Sequence, residues 1–263
     1  MSILHVLDAA YFSREQMEFP HYVAGLGNGE ITALFLENVT SLKNDLSETV
    51  STMPEATMEE NIREYERICG ELGVRVRTIK SAGIPEEVTY TISCFHDLLL
   101  LSPFISFRSV DKVLPTTFTE EVLARSQCPV LVMPAHMQPI TEVIHTYDGS
   151  FASVYAIRQL ARLFPALYDK PVTVLCAPEG TTEGIPHRQE LEHYLSHYYR
   201  QVTFEILHGK ASDVIPEYLA QHRNCIVTFG AYGRSNFSRL FRKSRVDDVL
   251  AGMDIPVFVT HPG

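Results

Sequence analysis

No apolar run in the 263 residues reaches the roughly 18 needed to span a membrane, so no membrane association is predicted. The opening residues Met1-Ser-Ile-Leu-His-Val6 lack a basic segment and a cleavage site, so no signal peptide is predicted either. Positive charge is in the minority. Against 32 acids stand 22 bases, a formal net charge of −10. That counts against a general nucleic-acid binder, because phosphate backbones attract the opposite sign. Cysteine is scarce. Cys69, Cys94, Cys128, Cys176 and Cys225 are scattered, odd in number and without a Cys-x-x-Cys pair. Their mostly apolar surroundings predict buried, reduced thiols in a cytoplasmic protein. The G-x-S-x-G elbow, the P-loop and a Cys/His dyad motif are all missing. What remains is 45% hydrophobic and 21% charged, the composition of a soluble globular protein with a sizeable core. The length suits one large domain or two of ordinary size.

The chain repeats itself. Val122-Leu-Ala-Arg-Ser-Gln-Cys-Pro-Val-Leu-Val132 matches Val249-Leu-Ala-Gly-Met-Asp-Ile-Pro-Val-Phe-Val259 at six of eleven positions, with offset 249 − 122 = 127. Ile3-Leu-His-Val-Leu-Asp8 matches Val143-Ile-His-Thr-Tyr-Asp148, with His and Asp in register at offset 140. Two matches in the same order predict a duplication. The offsets differ by 140 − 127 = 13, so the first half carries that many extra residues, and the polar stretch Asn38 to Glu59 is the natural place for them. The boundary falls in the turn-rich Ala135-His-Met-Gln-Pro139, giving domains 1–137 and 138–263.

Each half alternates strand and helix. Strands are predicted at 2–7, 31–37, 74–79, 97–101 and 129–133, then at 141–147, 172–177, 202–207, 224–229 and 256–260. Helices are predicted over 152–164 (ending at Pro165), 186–199, 213–221 behind Ser212 as N-cap, and 246–251 behind Ser244. In the first half, Thr117-Phe-Thr-Glu120 and Thr57-Met-Glu-Glu60 have capping-box spacing, and the acidic stretch 55–66 reads as an exposed amphipathic helix. Pro20 predicts a short or broken first helix. The fold class is therefore α/β, as two tandem doubly wound, parallel, five-stranded sheets.

In such sheets ligands sit at the carboxyl ends of strands, where strand order reverses. In the second half the first strand runs into Asp148-Gly149-Ser150 and the fourth into Gly230-Ala-Tyr-Gly233. Lys243-Ser244 follows at the head of the last predicted helix. Arg234, Arg239, Arg242, Lys243 and Arg245 make five cations in the twelve residues 234–245. Glycine N–H groups, a helix N-terminus and a cationic loop together suit a polyanion such as a triphosphate. A turn glycine pair beside a solvated basic loop, with Ser244 only a cap, is the plain alternative.

The duplicated plan, Asp148 after the first strand, and the basic loop, helix and Pro-Val-x-Val strand closing each half resemble the universal stress protein (UspA) family. Nucleotide-binding members carry Gly-x-x-Gly, nine residues, then Gly-Ser/Thr. This chain has Gly230-Ala-Tyr-Gly233, nine residues, then Lys243-Ser244, with Lys243 in place of the last Gly. The resemblance implies one ATP site, in the second half, where Asp148 and Ala177 face adenine and ribose and Gly230, Gly233 and Ser244 hold the phosphates. Thr146, standing where members often have Pro, and Phe229, Lys243 and Arg245 complete the candidate set. The lysine either pairs with a phosphate or blocks close backbone approach. The resemblance further implies that the halves pair through strands 129–133 and 256–260. A homo-oligomer is left open beside that pairing, and any hydrolysis of ATP is expected to be slow, because no carboxylate pair stands near the glycines. The implied function is that of a nucleotide-responsive regulatory or protective protein. A scaffold of the same fold without nucleotide is the alternative. An enzyme of a related adenine-binding class is disfavoured, because neither its H-I-G-H nor its S-G-G-x-D-S loop is present and Asp148 alone is placed near the glycines to serve as a base.

In the first half, offset 127 sets Pro103 opposite Gly230 and Ser106 opposite Gly233. Pro103 has no N–H, and the loop 107–115 has only Arg108 and Lys112 as cations. This half therefore reads as structural or regulatory, with Asp8 as a relic that keeps a structural use. His193 and His197, four apart, with His187 and Glu190 nearby, have spacing for zinc, yet lack the H-E-x-x-H order and read better as a solvated or interface face. Gly25-Leu-Gly27-Asn-Gly29 precedes a strand instead of following one, so it reads as a helix C-cap turn rather than a dinucleotide loop.

Overall fold

A computed structural model describes residues 1–10, 12, 14–38, 55–107, 116–178, 184–230 and 255–260. The first half runs β1 (Ser2–Asp8), a 3-10 turn (Arg14–Met17), α1 (Glu18–Gly27), β2 (Glu30–Asn38), α2 (Glu55–Leu72), β3 (Val76–Gly83), α3 (Pro85–Ser93), β4 (Leu98–Leu101), α4 (Thr117–Arg125) and β5 (Val130–Val132). The second runs β6 (Glu142–Thr146), α5 (Phe151–Leu163), a 3-10 turn (Pro165–Leu167), β7 (Val172–Cys176), α6 (Arg188–Leu195), β8 (Val202–Ile206), α7 (Ala211–Leu219), β9 (Cys225–Gly230) and β10 (Val257–Thr260). No helix among the described residues is long and apolar enough to cross a membrane.

The strands form one sheet in the order β3-β2-β1-β4-β5-β10-β9-β6-β7-β8. Within each half every pairing is parallel. The seam alone is antiparallel, with Val130 opposite Val259, Leu131 opposite Phe258 and Val132 opposite Val257. Central parallel strands are covered on both faces and so are apolar throughout, as the fully buried Leu98-Leu-Leu-Leu101 shows. One face packs Ile3, Phe35, Tyr65 and Leu100 together with Ile157, Leu160 and Phe164 of the other half. The opposite face packs Leu4, Leu99, Phe118 and Val122 with Ile144, Val227 and Val257. Both cores therefore run across the seam.

Local sequence explains the helix ends. Ala152, Ala156, Ile157, Leu160 and Ala161 give α5 its buried stripe, Ser150 caps its start by accepting from the Ser153 N–H, and Pro165 prevents its continuation. In α2 the buried Met58, Tyr65, Ile68 and Cys69 form the apolar stripe, while Arg67 bridges Glu64 and Glu71 on the surface. Helix α1 is only ten residues, with Pro20 in its first turn, behind a 3-10 segment. Its left-handed C-cap is Asn28 (φ 50°), not a glycine. The glycine that matters is Gly27: a Cβ there would lie 2.5 Å from the tip of Met1 and 2.7 Å from the Leu163 carbonyl oxygen. That is where α1 meets the end of α5, and the Ile140 N–H donates to the Tyr22 hydroxyl across the same junction at 2.9 Å.

Several expected boundaries shift. Thr116, not Thr117, caps α4, because its hydroxyl accepts the Thr119 N–H. Thr57 lies inside α2, which extends to Leu72. Ser212 lies inside α7, behind Lys210. Helix α6 is shorter than 186–199, because His187 at its head takes the left-handed conformation (φ 49°). The predicted helix 246–251, and 39–54 of the stretch expected to hold the extra residues, lie outside the described residues.

Candidate functional site

Strand order reverses between β1 and β4 in the first half and between β6 and β9 in the second. These are the places where an open α/β sheet leaves a crevice. The sheet register corrects one alignment. Ile3 pairs with Leu98, and its counterpart Val143 pairs with Ile226, so the fourth strands align at 226 − 98 = 128. The last strands align at 257 − 130 = 127. Ser102, not Pro103, therefore stands opposite Gly230 (230 − 128 = 102), because the first half has one residue more between its fourth and fifth strands.

The carboxyl ends of three adjacent strands hold the candidate residues of the second half. Ala177 follows β7, Thr146 ends β6 with Asp148 two residues beyond it, and Phe229 and Gly230 end β9. Gly233, Lys243, Ser244 and Arg245 lie outside the described residues. Each described polar candidate has a local duty. The buried Thr146 hydroxyl donates to the Thr228 carbonyl oxygen at 2.7 Å. Asp148 is exposed, and its Oδ1 accepts the Ser150 N–H at 2.9 Å, closing a turn over Gly149 (φ 80°). That turn delivers Ser150 as the cap of α5.

Gly230 has a use that the sequence does not reveal. A Cβ at this position would lie 2.3 Å from the Ala152 carbonyl carbon and 2.4 Å from the Ser153 nitrogen. Only glycine lets β9 approach the first turn of α5 so closely. The packing sets the positive end of a helix dipole against the reversal point. Above it, the Tyr147 hydroxyl donates to the Pro186 carbonyl oxygen at 3.0 Å, and the Pro186 ring lies against Gly149.

The first half repeats the turn. Asp8 Oδ1 accepts the Ala10 N–H at 2.8 Å, as Asp148 accepts that of Ser150. Asp8 is half-buried, and burial raises its pKa, the Ala10 hydrogen bond offsetting part of the rise. Beside it is a cavity of about 280 Å³, lined by His5, Asp8, Ser102, Phe104, Ile105 and Met133 among others. The strands that lead to the two reversal points differ. At matching register the second half has Thr146, Thr228 and Thr260, where the first has Val6, Leu100 and Met133.

Below both crevices lies a pair that the sequence shows only as a match. His5 and His145 are fully buried, and burial pushes each imidazole down to about 3. Nδ1 of His5 lies 2.9 Å from the Tyr65 hydroxyl, and Nδ1 of His145 lies 2.9 Å from that of Thr228. The Nε2 atoms of both have no hydrogen-bond partner among the described residues.

The remaining reactive groups offer little chemistry. No disulfide forms among the cysteines; Cys69, Cys128, Cys176 and Cys225 are buried as expected, but Cys94 is exposed. Burial pushes the thiols of Cys128 and Cys225 up to about 12, so they stay protonated and poorly nucleophilic. The His197 Nδ1–H donates to the His193 carbonyl oxygen at 2.8 Å. No group of three or more His, Cys, Asp or Glu among the described residues is arranged to hold a metal ion.

No family model matches the chain. Among curated proteins it is 22% identical to universal stress protein Slr1230 of Synechocystis, covering 97% of this chain and 98% of that one. Among solved structures, a universal stress protein from Archaeoglobus fulgidus superposes with a TM-score of 0.73 at 19% identity, covering 100% of this chain and 96% of the other. A functionally unknown protein from Pseudomonas aeruginosa gives a TM-score of 0.61 at 16% identity, covering 99% and 92%. The sequence resemblance to universal stress proteins is thus matched by a full-length relative and by full-length likeness of fold.

Proposed function

Taking the chain as a tandem protein of the universal stress type, we propose that its second half binds one adenine nucleotide and that binding regulates a protective, non-catalytic role in the cytoplasm. The domains divide at 137/138, and the pairing of β5 with β10 serves as the intramolecular form of the subunit pairing that the family resemblance implies. The observation that carries this reading is the contact of Gly230 with the first turn of α5, which sets a helix N-terminus at the reversal point. Ala177 and Asp148 flank that point, where they would meet base and ribose, with Phe229 and Thr146 behind them. Gly233, Lys243, Ser244 and Arg245 would close on the phosphates. Free thiols fit a reducing compartment.

A second reading is favoured by one observation: Thr146, Asp148 and Gly230 each have a structural duty that needs no ligand. On that reading the chain is a protein-binding scaffold. Calorimetry with ATP separates the two. One site per chain is expected, two equivalent sites would show that the first half also binds ATP, and no heat at millimolar ATP would favour the scaffold.

A further inference from the structure

We propose that the cavity of the first half is a second ligand site, built for a small organic amine and independent of any nucleotide bound by the second half. The cavity lies at the carboxyl ends of β1 and β4, the reversal point where α/β sheets bind small molecules. At about 280 Å³ it falls just below the roughly 300–1,000 Å³ usual for such sites, so the ligand is small.

Charge then selects the chemistry. Asp8 is the one carboxylate in the described lining, and none of the described lining side chains is a lysine or arginine. His5 stays neutral at physiological pH. A phosphate or carboxylate entering here would face Asp8 with no cation beside it among these residues. An ammonium would face its natural partner. Asp8 Oδ1 is engaged by the Ala10 N–H, while Oδ2 has no hydrogen bond among the described residues. A half-buried carboxylate with one open oxygen gains from a charge-assisted donor. Burial already raises its pKa, the sign of an ionised form short of compensation.

The rest of the wall suits an apolar body. Ile105 and Met133 are buried lining residues, and Phe104 is 45% exposed. An aromatic ring beside a carboxylate is a known setting for organic cations. Two strand positions that carry threonines in the second half carry Val6 and Met133 in this lining, so Asp8 and the Ser102 hydroxyl supply the polar contacts. The net charge of −10 enriches cations around the chain.

The test uses the full chain and three probes of one shape: benzylamine, benzyl alcohol and benzoate. Calorimetry should show benzylamine binding once per chain, benzyl alcohol more weakly, and benzoate not at all. Asp8→Asn keeps an oxygen for the Ala10 N–H, so the turn persists. It should weaken benzylamine at least tenfold and change benzyl alcohol less than twofold. Ser102→Leu, which narrows the cavity without touching the charge, should weaken benzylamine and benzyl alcohol alike and decides the matter if Asp8→Asn fails to fold. Saturating ATP should leave the benzylamine titration unchanged, which keeps this site distinct from the nucleotide reading. The proposal is overturned if benzylamine does not bind, if benzoate binds as well as benzylamine, if ATP displaces benzylamine, or if neither variant weakens it.

Discussion

Moving the protein from pH 7.5 to pH 5 should remove about 4 kcal/mol of stability through His5 and His145 alone. Both imidazoles are fully buried, and burial holds each near pKa 3, whereas an ordinary histidine titrates near 6.5. The folded value is depressed, so the unfolded chain binds more protons between the two values. Stability is then complete above pH 6.5 and is lost progressively as pH falls toward 3. At pH 5 the gap to 6.5 is 1.5 units, or about 2 kcal/mol for each histidine at 1.36 kcal/mol per unit. Asp8 works in the opposite sense. Its folded pKa is raised, so it favours the fold below the ordinary carboxylate value and cannot produce this loss. Urea unfolding followed by circular dichroism at both pH values measures the effect. His5→Gln and His145→Gln should each remove about half of the pH dependence, and the double variant nearly all of it. Glutamine can still pair with the hydroxyls of Tyr65 and Thr228, which limits the loss at neutral pH. A double variant with undiminished acid sensitivity would refute the reasoning, as would a wild type equally stable at both pH values.

Gly230→Ala drives a methyl group into the backbone of Ala152 and Ser153. It should lower stability by about 1–3 kcal/mol, read from urea midpoints, and an unchanged midpoint would show that α5 moves away freely. For Lys243, outside the described residues, Lys243→Ala should weaken ATP by roughly 1.5–3 kcal/mol in calorimetry if the ammonium pairs with phosphate. If instead the lysine obstructs the loop, Lys243→Gly should tighten ATP; the family's preference for glycine favours this outcome, and tighter binding by wild type than by both variants would count against it.

Much of the architecture was readable because duplication leaves local traces. The paired His and Asp at 5 and 8, and at 145 and 148, marked equivalent first strands, and both aspartates close the same turn. Pro-Val-Leu-Val132 and Pro-Val-Phe-Val259 marked equivalent last strands, which meet at the seam. What escaped depends on long-range contact or on a one-residue count. Pro103 is not the counterpart of Gly230, because the segment between the fourth and fifth strands is one residue longer in the first half. Thr116 and Thr117 are indistinguishable as caps until one hydroxyl finds the Thr119 N–H. The tight contact of Gly230 with α5 joins residues nearly eighty apart. The cavity beside Asp8 leaves no local trace, because its lining is gathered from β1, the segment after β4 and the residue after β5.

The antiparallel seam has a consequence for direction. Five strands point one way and five the other within a single sheet, so the two reversal points open on opposite rims. A molecule bound at one rim cannot touch a molecule bound at the other, and a partner docked over one crevice leaves the other open to solvent. The two crevices can influence each other only through the protein between them: the ladder β1-β4-β5-β10-β9-β6, and the junction where Gly27 of α1 rests on the end of α5. The chain is in this respect a two-faced body, able to meet two different surroundings at once and to report one to the other only through its own core.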